Sequence, residues 1–403
     1  EREYFPREKQ QLWAWLRGAI TAANIMLYFT ALTQLPLGDA VVLTSLYPIT
    51  GPFFSRVFLG ERLPVIFPVA LLLALAGATT LTQPTFIFGQ TDDADAITTL
   101  GYTCALSASL TLAKVAGAGY VGVCALMYVF QRKLQYFPTR ESPPHPSVTY
   151  GAKCAEVEDF TVRTSDGETL RGYYWPAPAG GKHPKVTLLQ LHGNAGSRHD
   201  RLYWAHHVRA RLGVAVALLD YRGYGGSTGR VTEEGMIRDG VAGIQWASTK
   251  ANETGSRLVL HLESIGSAAG INAVARLVAP PRSAEPPDPA VAAALAGVVA
   301  EGGLSSCVEI AQKLFSWMPL GLLMKDKWAG TCAAAEKMDP DVPFMSMHGE
   351  RDEIVPLWCG RRLHDAVRGK KVWKMFKRGG HNNLMTMPGY FQALDEFYAE
   401  HVR

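Results

Sequence analysis

Leu258-Val259-Leu260-His261-Leu262, followed by Glu263-Ser264-Ile265-Gly266 and then by Ser267-Ala268-Ala269-Gly270, decides how the C-terminal two thirds of this 403-residue chain folds. Five mostly apolar residues, the length of a buried strand, run into a polar pair. A helix of small residues, Ser267 to Val278, comes directly after. A serine on a sharp turn between strand and helix holds its hydroxyl above the end of a sheet, the context of a nucleophile elbow.

Two further polar sites stand where strand-length runs end. His348-Gly349-Glu350-Arg351-Asp352 follows Pro343 to Met347, and Gly379-Gly380-His381 follows Val372 to Phe376. A serine hydroxyl is a weak nucleophile until a base takes its proton, and the base needs a carboxylate to fix its tautomer. Ser264, His381 and Asp352 are the candidates for these roles, in the chain order Ser, Asp, His. Glu353 is the weaker choice of acid, and Asp339 and Asp341 read as turn residues. Upstream, His192-Gly193-Asn194-Ala195-Gly196 follows the run Val186 to Leu191. Its small-residue turn aims the Asn194 N–H at a developing oxyanion opposite the N–H of Ile265.

Around these sites, strands are expected at 160–163, 169–174, 186–191, 215–220, 258–262, 297–300, 343–347 and 372–376. Helices are expected at 199–212, 233–249, 267–278, 357–367 and 390–401. The alternation implies a mostly parallel sheet flanked by helices, with Asp166-Gly167 turning an initial hairpin. Pro280 to Pro289 reads as an exposed insertion loop. Leu314 to Leu323, apolar and holding Trp317, Met318 and Pro319, reads either as a cap over an acyl pocket or as a helix packed on the sheet. Asp220 and Asp239 read as structural hydrogen-bonding groups, His206 and His207 as helix-surface or packing residues. Glu263 reads equally as a contact to substrate and as a solvated loop carboxylate.

The N-terminal third has a different composition. From Gln11 to Phe130 there are nine charged side chains, whereas the whole chain is 19% charged. Leu12–Thr33, Ala40–Leu59 and Pro64–Thr82 each approach the roughly 20 apolar residues of a membrane span. A fourth tract, Ile97–Phe130, makes four or five spans in all. Lys and Arg placed beside the membrane favour four spans and a cytoplasmic C-terminal domain. The net charge of +4 is too small to argue for nucleic acid. Six scattered cysteines without C-x-x-C spacing read as unpaired thiols, and neither a metal nor an organic cofactor is implied. The first residue is Glu1, so a preceding piece is expected.

Two resemblances bear on these readings. Leu16-Arg17-Gly18, Tyr28-Phe29-Thr30-Ala31-Leu32, Leu35-Pro36-Leu37-Gly38-Asp39-Ala40, Tyr47-Pro48 and Phe58-Leu59-Gly60-Glu61-Arg62-Leu63 resemble, in order, the EamA domain of drug/metabolite transporters over roughly residues 10–112. Thr99 to Leu112 looks like the start of a second repeat that stops early. From Ala118 onward, Leu191-His192-Gly193-Asn194-Ala195-Gly196, Asp220-Tyr221-Arg222-Gly223-Tyr224-Gly225-Gly226-Ser227, Glu263-Ser264-Ile265-Gly266 and His348-Gly349-Glu350-Arg351-Asp352 resemble α/β-hydrolases of the bud emergence protein 46 group. Tyr128 to Pro138 is similar to their membrane anchor. The resemblance implies a serine hydrolase acting on esters, thioesters or lipids. One residue departs from the pattern: Leu262 stands where the elbow motif has glycine, and a side chain there crowds the helix that follows.

The resulting expectation is an α/β-hydrolase preceded by an all-α transmembrane bundle. It divides into an EamA-like region 1–113, an anchor helix with basic flank 114–138, a linker 139–158 and a hydrolase domain 159–403. The partners expected are the lipid bilayer and a small acyl-ester, thioester or lipid substrate. The alternatives are a transporter-related protein with a degenerate hydrolase domain, and a join of neighbouring reading frames.

Overall fold

Strand-length runs that are largely apolar must be covered on both faces, and in this chain they belong to one eight-stranded sheet between two helical layers. The computed structural model describes residues 120–278 and 288–402. The spans, orientation and EamA-like landmarks read from residues 1–113 lie outside the described residues. So does most of the Pro280–Pro289 loop, although Pro289 itself starts a short helix, Pro289–Ala294.

The chain divides into two units, Glu1–Leu126 with Ser316–Met318, and Met127–Phe315 with Pro319–Arg403; the sheet and every candidate site residue belong to the second. Its strands are β1 (Phe137–Pro138), β2 (Glu158–Arg163), β3 (Thr169–Trp175), β4 (Val186–Leu191), β5 (Ala195–Gly196), β6 (Ala215–Leu219), β7 (Arg257–Glu263), β8 (Leu295–Glu301), β9 (Phe344–Gly349) and β10 (Lys371–Phe376). The main sheet has the order β10-β9-β8-β7-β4-β6-β3-β2. Only β2 with β3 and β3 with β6 pair antiparallel in it. The architecture is that of an α/β-hydrolase.

Alternation along β4 shows how the core is built. Leu189 and Leu191 join the layer that holds Met236, Ile244, Ile271 and Val274. Val186 and Leu188 face the opposite layer, with Leu202, Val208, Leu394 and Phe397. The helices Glu233–Glu253 and Ile265–Val278 therefore cover one face, and Leu202–Leu212 and Tyr390–His401 the other. β4 lies between β6 and β7, so the chain leaves it first to one side and later to the other. Crevices at such switch points, outside the carboxyl ends of parallel strands, are where α/β sheets place ligands. Every candidate site residue is at or just beyond such an end.

The stretch read as a linker, 139–158, is folded onto the sheet rather than irregular. It contains the helix Pro146–Tyr150, whose N-cap His145 accepts from the Ser147 N–H and also hydrogen-bonds the Val157 carbonyl oxygen. In the apolar Leu314–Leu323 tract, Leu314, which ends the helix Cys307–Leu314, and Leu322, within the helix Leu320–Leu323, are exposed. A helix over residues 120–135 leads into β1. Among the described residues no helix is long and apolar enough to cross a membrane.

Candidate active site

β7 ends at Glu263 and a helix begins at Ile265, leaving one residue for the turn. That residue, Ser264, has φ +55°, a conformation costing about 1–3 kcal/mol for a residue with a Cβ. Its N–H donates to the Glu301 carbonyl oxygen at 2.8 Å, holding the turn to the end of β8. At Gly266 the helix passes so close to β4 that an added Cβ would lie 2.1 Å from the Leu191 carbonyl oxygen, a position only glycine can take.

Leu262, the departure from the elbow pattern, is fully buried and finds room one turn along the same helix. A Cβ built on Gly270 would meet Leu262 Cδ2 at 2.4 Å, so the missing side chain of Gly270 is the space the leucine occupies. The crowding expected from the sequence is thus relieved by a second glycine.

Ser264 Oγ donates to His381 Nε2 at 3.0 Å, and His381 Nδ1 donates to Asp352 Oδ2 at 2.8 Å. Asp352 Oδ1 accepts from the N–H groups of Ile354 and Val355 at 3.0 and 2.7 Å, so each of its oxygens has a donor. Burial pulls the Asp352 carboxyl upward, but His381 and these N–H groups outweigh it and hold it below the usual range. For His381 burial acts downward, but the hydrogen bond and charge of Asp352 together with the charges of Glu263 and Glu301 outweigh it, raising the imidazole above its ordinary value. His348 steadies the carboxylate loop by hydrogen-bonding the Val355 carbonyl oxygen at 2.9 Å from a buried position. Glu353 is exposed, outside the Ser264–His381–Asp352 chain of hydrogen bonds.

The Asn194 side-chain amide donates to the Gln135 carbonyl oxygen. With the side chain so engaged, the backbone N–H is the Asn194 donor left to test as an oxyanion contact. The Ile265 N–H is the first of its helix, where the intrahelical ladder supplies no acceptor. The turn around Asn194 is braced from the loop after β6. Tyr221 donates its hydroxyl to the His192 carbonyl oxygen at 3.1 Å and Tyr224 to that of Asn194 at 2.9 Å. Asp220 binds the buried Arg198 guanidinium and accepts the Arg198 N–H, the structural role read for it. Asp239 likewise holds Arg222, through its N–H at 2.8 Å and its Nε at 2.9 Å.

The sequence left three contributors unread. Arg201 chelates Glu263 through Nε at 3.1 Å and Nη2 at 2.9 Å, so Glu263 is neither a solvated carboxylate nor free for substrate. Burial by itself would raise its carboxyl, yet Arg201 and the Gly193 N–H hold it below the usual range. Glu301, at the end of β8, accepts from Tyr390 at 2.6 Å and His261 at 2.9 Å; being polar at a strand's carboxyl end was the available signal. The third is Gln135, whose side chain donates to the Asp326 carbonyl oxygen at 3.0 Å. The arrangement can transfer a proton from Ser264 to His381.

Both parts of the chain are similar to known proteins. Residues 2–83 match the model of the EamA-like transporter family. An uncharacterized protein of Mycobacterium tuberculosis is 31% identical over 281 residues, spanning 69% of this chain and 91% of its own. The bem46 protein of Schizosaccharomyces pombe is 26% identical over 314 residues, 73% of this chain and 95% of its own. The lysophosphatidylserine lipase of Rattus norvegicus is 27% identical over 198 residues, 48% of each chain.

Two outcomes follow from the geometry. Gly270→Ala should destabilise the fold by about 1–3 kcal/mol through overpacking on Leu262, but be neutral or better in a Leu262→Ala background. Unfolding midpoints of the four variants measure this, and an equal cost in both backgrounds would mean that Leu262 is not housed there. Second, because His381 is raised above 6.5 by Asp352, hydrolysis that needs the neutral ring should rise with pH through a midpoint above 6.5. The stability the charged ring contributes is complete below its unfolded value and is lost over the same interval. Asp352→Asn should lower the midpoint, and a midpoint unmoved in rate–pH profiles would contradict the coupling.

Proposed function

The chain belongs to the α/β-hydrolase family of bem46 and its relatives, and we propose that within it the protein is a membrane-anchored serine hydrolase cleaving ester or thioester bonds. The observation that carries the reading is the hydrogen-bonded series Ser264 Oγ, His381, Asp352, at 3.0 and 2.8 Å, on a turn with φ +55° at the serine.

In the proposed mechanism His381 Nε2 takes the Ser264 proton as Oγ attacks the carbonyl carbon of the substrate. The carbonyl oxygen becomes negative between the N–H groups of Asn194 and Ile265, each such donor being worth about 2.7–4 kcal/mol. The protonated His381, stabilised by Asp352, gives its proton to the leaving alcohol or thiol as the C–O or C–S bond breaks. Water, deprotonated in turn by His381, then attacks the acyl-enzyme, and Oγ leaves with the proton.

Bilayer attachment belongs to the same proposal. Tyr128, Val129, Phe130 and Leu134 are exposed on the helix beside Arg132 and Lys133, the amphipathic composition of a membrane-proximal segment. The EamA match at residues 2–83 supports further membrane helices before it. Lys and Arg counts favour a cytoplasmic hydrolase domain. The substrate class proposed is a small acyl ester, thioester or lysolipid, supported by this attachment and by the lipase among the relatives. The EamA match also favours a second reading of the N-terminal third, transport of a small metabolite, which would survive loss of Ser264.

The test is hydrolysis of short acyl esters, acyl thioesters and lysophospholipids by the full chain in vesicles. Ser264→Ala should lower kcat by about 10⁴-fold or more, with the fold intact. Equal turnover by this variant, or none by the folded natural chain on any of the three classes, would overturn the reading.

A further inference from the structure

Residues 131–139, where the exposed helix gives way to β1, do more than join two parts of the chain. On one side they hold the Asn194 turn. The Gln135 carbonyl oxygen accepts from the Asn194 side-chain amide, and the Phe137 N–H donates to the Asn194 carbonyl oxygen at 3.4 Å. Phe137 and Pro138 pair parallel with Ala195 and Gly196, and the Thr139 N–H donates to the Gly196 carbonyl oxygen at 3.0 Å.

The other side grips residues 323–328, just after the helix Leu320–Leu323. Arg132 makes a two-pronged pair with the buried Asp326, through Nε at 2.7 Å and Nη2 at 3.2 Å. Gln131 donates to the Leu323 carbonyl oxygen at 3.2 Å and accepts the Lys325 N–H at 2.6 Å. Gln135 adds a bond from its side chain to the Asp326 carbonyl oxygen at 3.0 Å, and Tyr136 accepts from Trp328 Nε1 at 3.2 Å. A backbone that ran past as a tether would need none of these side-chain bonds. Gln135 is the junction, its backbone on the Asn194 turn and its side chain on the opposite segment.

We propose that residues 131–139 are a positioning element of the hydrolase, fixing the Asn194 N–H toward the substrate oxygen by clamping the Asn194 side chain. The inference rests on the reading of Asn194 as an oxyanion donor. None of the bonds described for these residues runs to Ser264, His381 or Asp352. Loosening it should therefore weaken stabilisation of the transition state while leaving substrate binding and the proton-transfer pair as they are. A displacement of about 1 Å in such a group costs on the order of 100-fold in rate.

Asn194→Ala keeps the backbone N–H and removes only the clamped amide. In the full chain, assayed on a short acyl ester, it should lower kcat by about 10–100-fold. KM should stay within about threefold and the pH midpoint of the rate should not move. Arg238→Ala, on an exposed helix face, is the control expected to match the natural chain. Should Asn194→Ala fail to accumulate as folded protein, the same measurements are made on Arg132→Ala, which opens the clamp from its far side. Unchanged kcat in the folded variant, or a loss carried by KM or by a shifted pH midpoint, would overturn the proposal. In either case an active natural chain leaves the hydrolase reading standing. A natural chain without turnover refutes that reading first, and this one with it.

Discussion

One backbone dihedral governs the site: Ser264 must sit at φ +55° in the single residue between β7 and the helix Ile265–Val278. A serine does not adopt this conformation without support, and its surroundings supply it. The Ser264 N–H is tied to β8, Gly266 lets the helix lie against the Leu191 carbonyl oxygen, and β7 is buried between β4 and β8. The strain of about 1–3 kcal/mol is small beside the packing lost if this strand and helix parted. The hydroxyl is thereby held just beyond the carboxyl end of β7, within reach of His381.

The second constraint is electrostatic. Several carboxylates gather at the carboxyl ends of the strands, where burial would neutralise them unless each had a partner. Asp352 has His381 and two N–H groups, Glu263 has Arg201, Asp220 has Arg198, and Glu301 has Tyr390 and His261. These are different solutions to one cost. Only the Asp352 pairing runs on to the serine hydroxyl; the Arg-paired carboxylates hold loops. The residue type alone did not separate the two uses.

What the sequence made legible was the repeating part of the fold. Largely apolar strands, such as Val186 to Leu191, kept the expected bounds, as did the helix from Tyr390 to His401, because burial on one or both faces writes itself into periodicity. The short helices Pro146–Tyr150 and Thr331–Ala335 passed unread, since five residues hold too little of a period. Asp352 and His381, which the structure brings into hydrogen-bond contact, were candidates because chemistry-bearing residues at strand ends stand out. The meaning of Leu262 was not legible, since Gly270, which makes room for it, differs from any other helix glycine only in three dimensions. For the same reason nothing in Gln135 announced a bond to Asn194, 59 residues away.

The account stands or falls on whether Ser264 is a competent nucleophile. The most direct measurement is to treat the folded full chain with a fluorophosphonate and map the adduct by peptide mass spectrometry. A single adduct on Ser264, forming faster as pH rises through the His381 midpoint and absent from Ser264→Ala, is the predicted result. A folded chain that stays unlabelled, or carries its label on another residue, would contradict it.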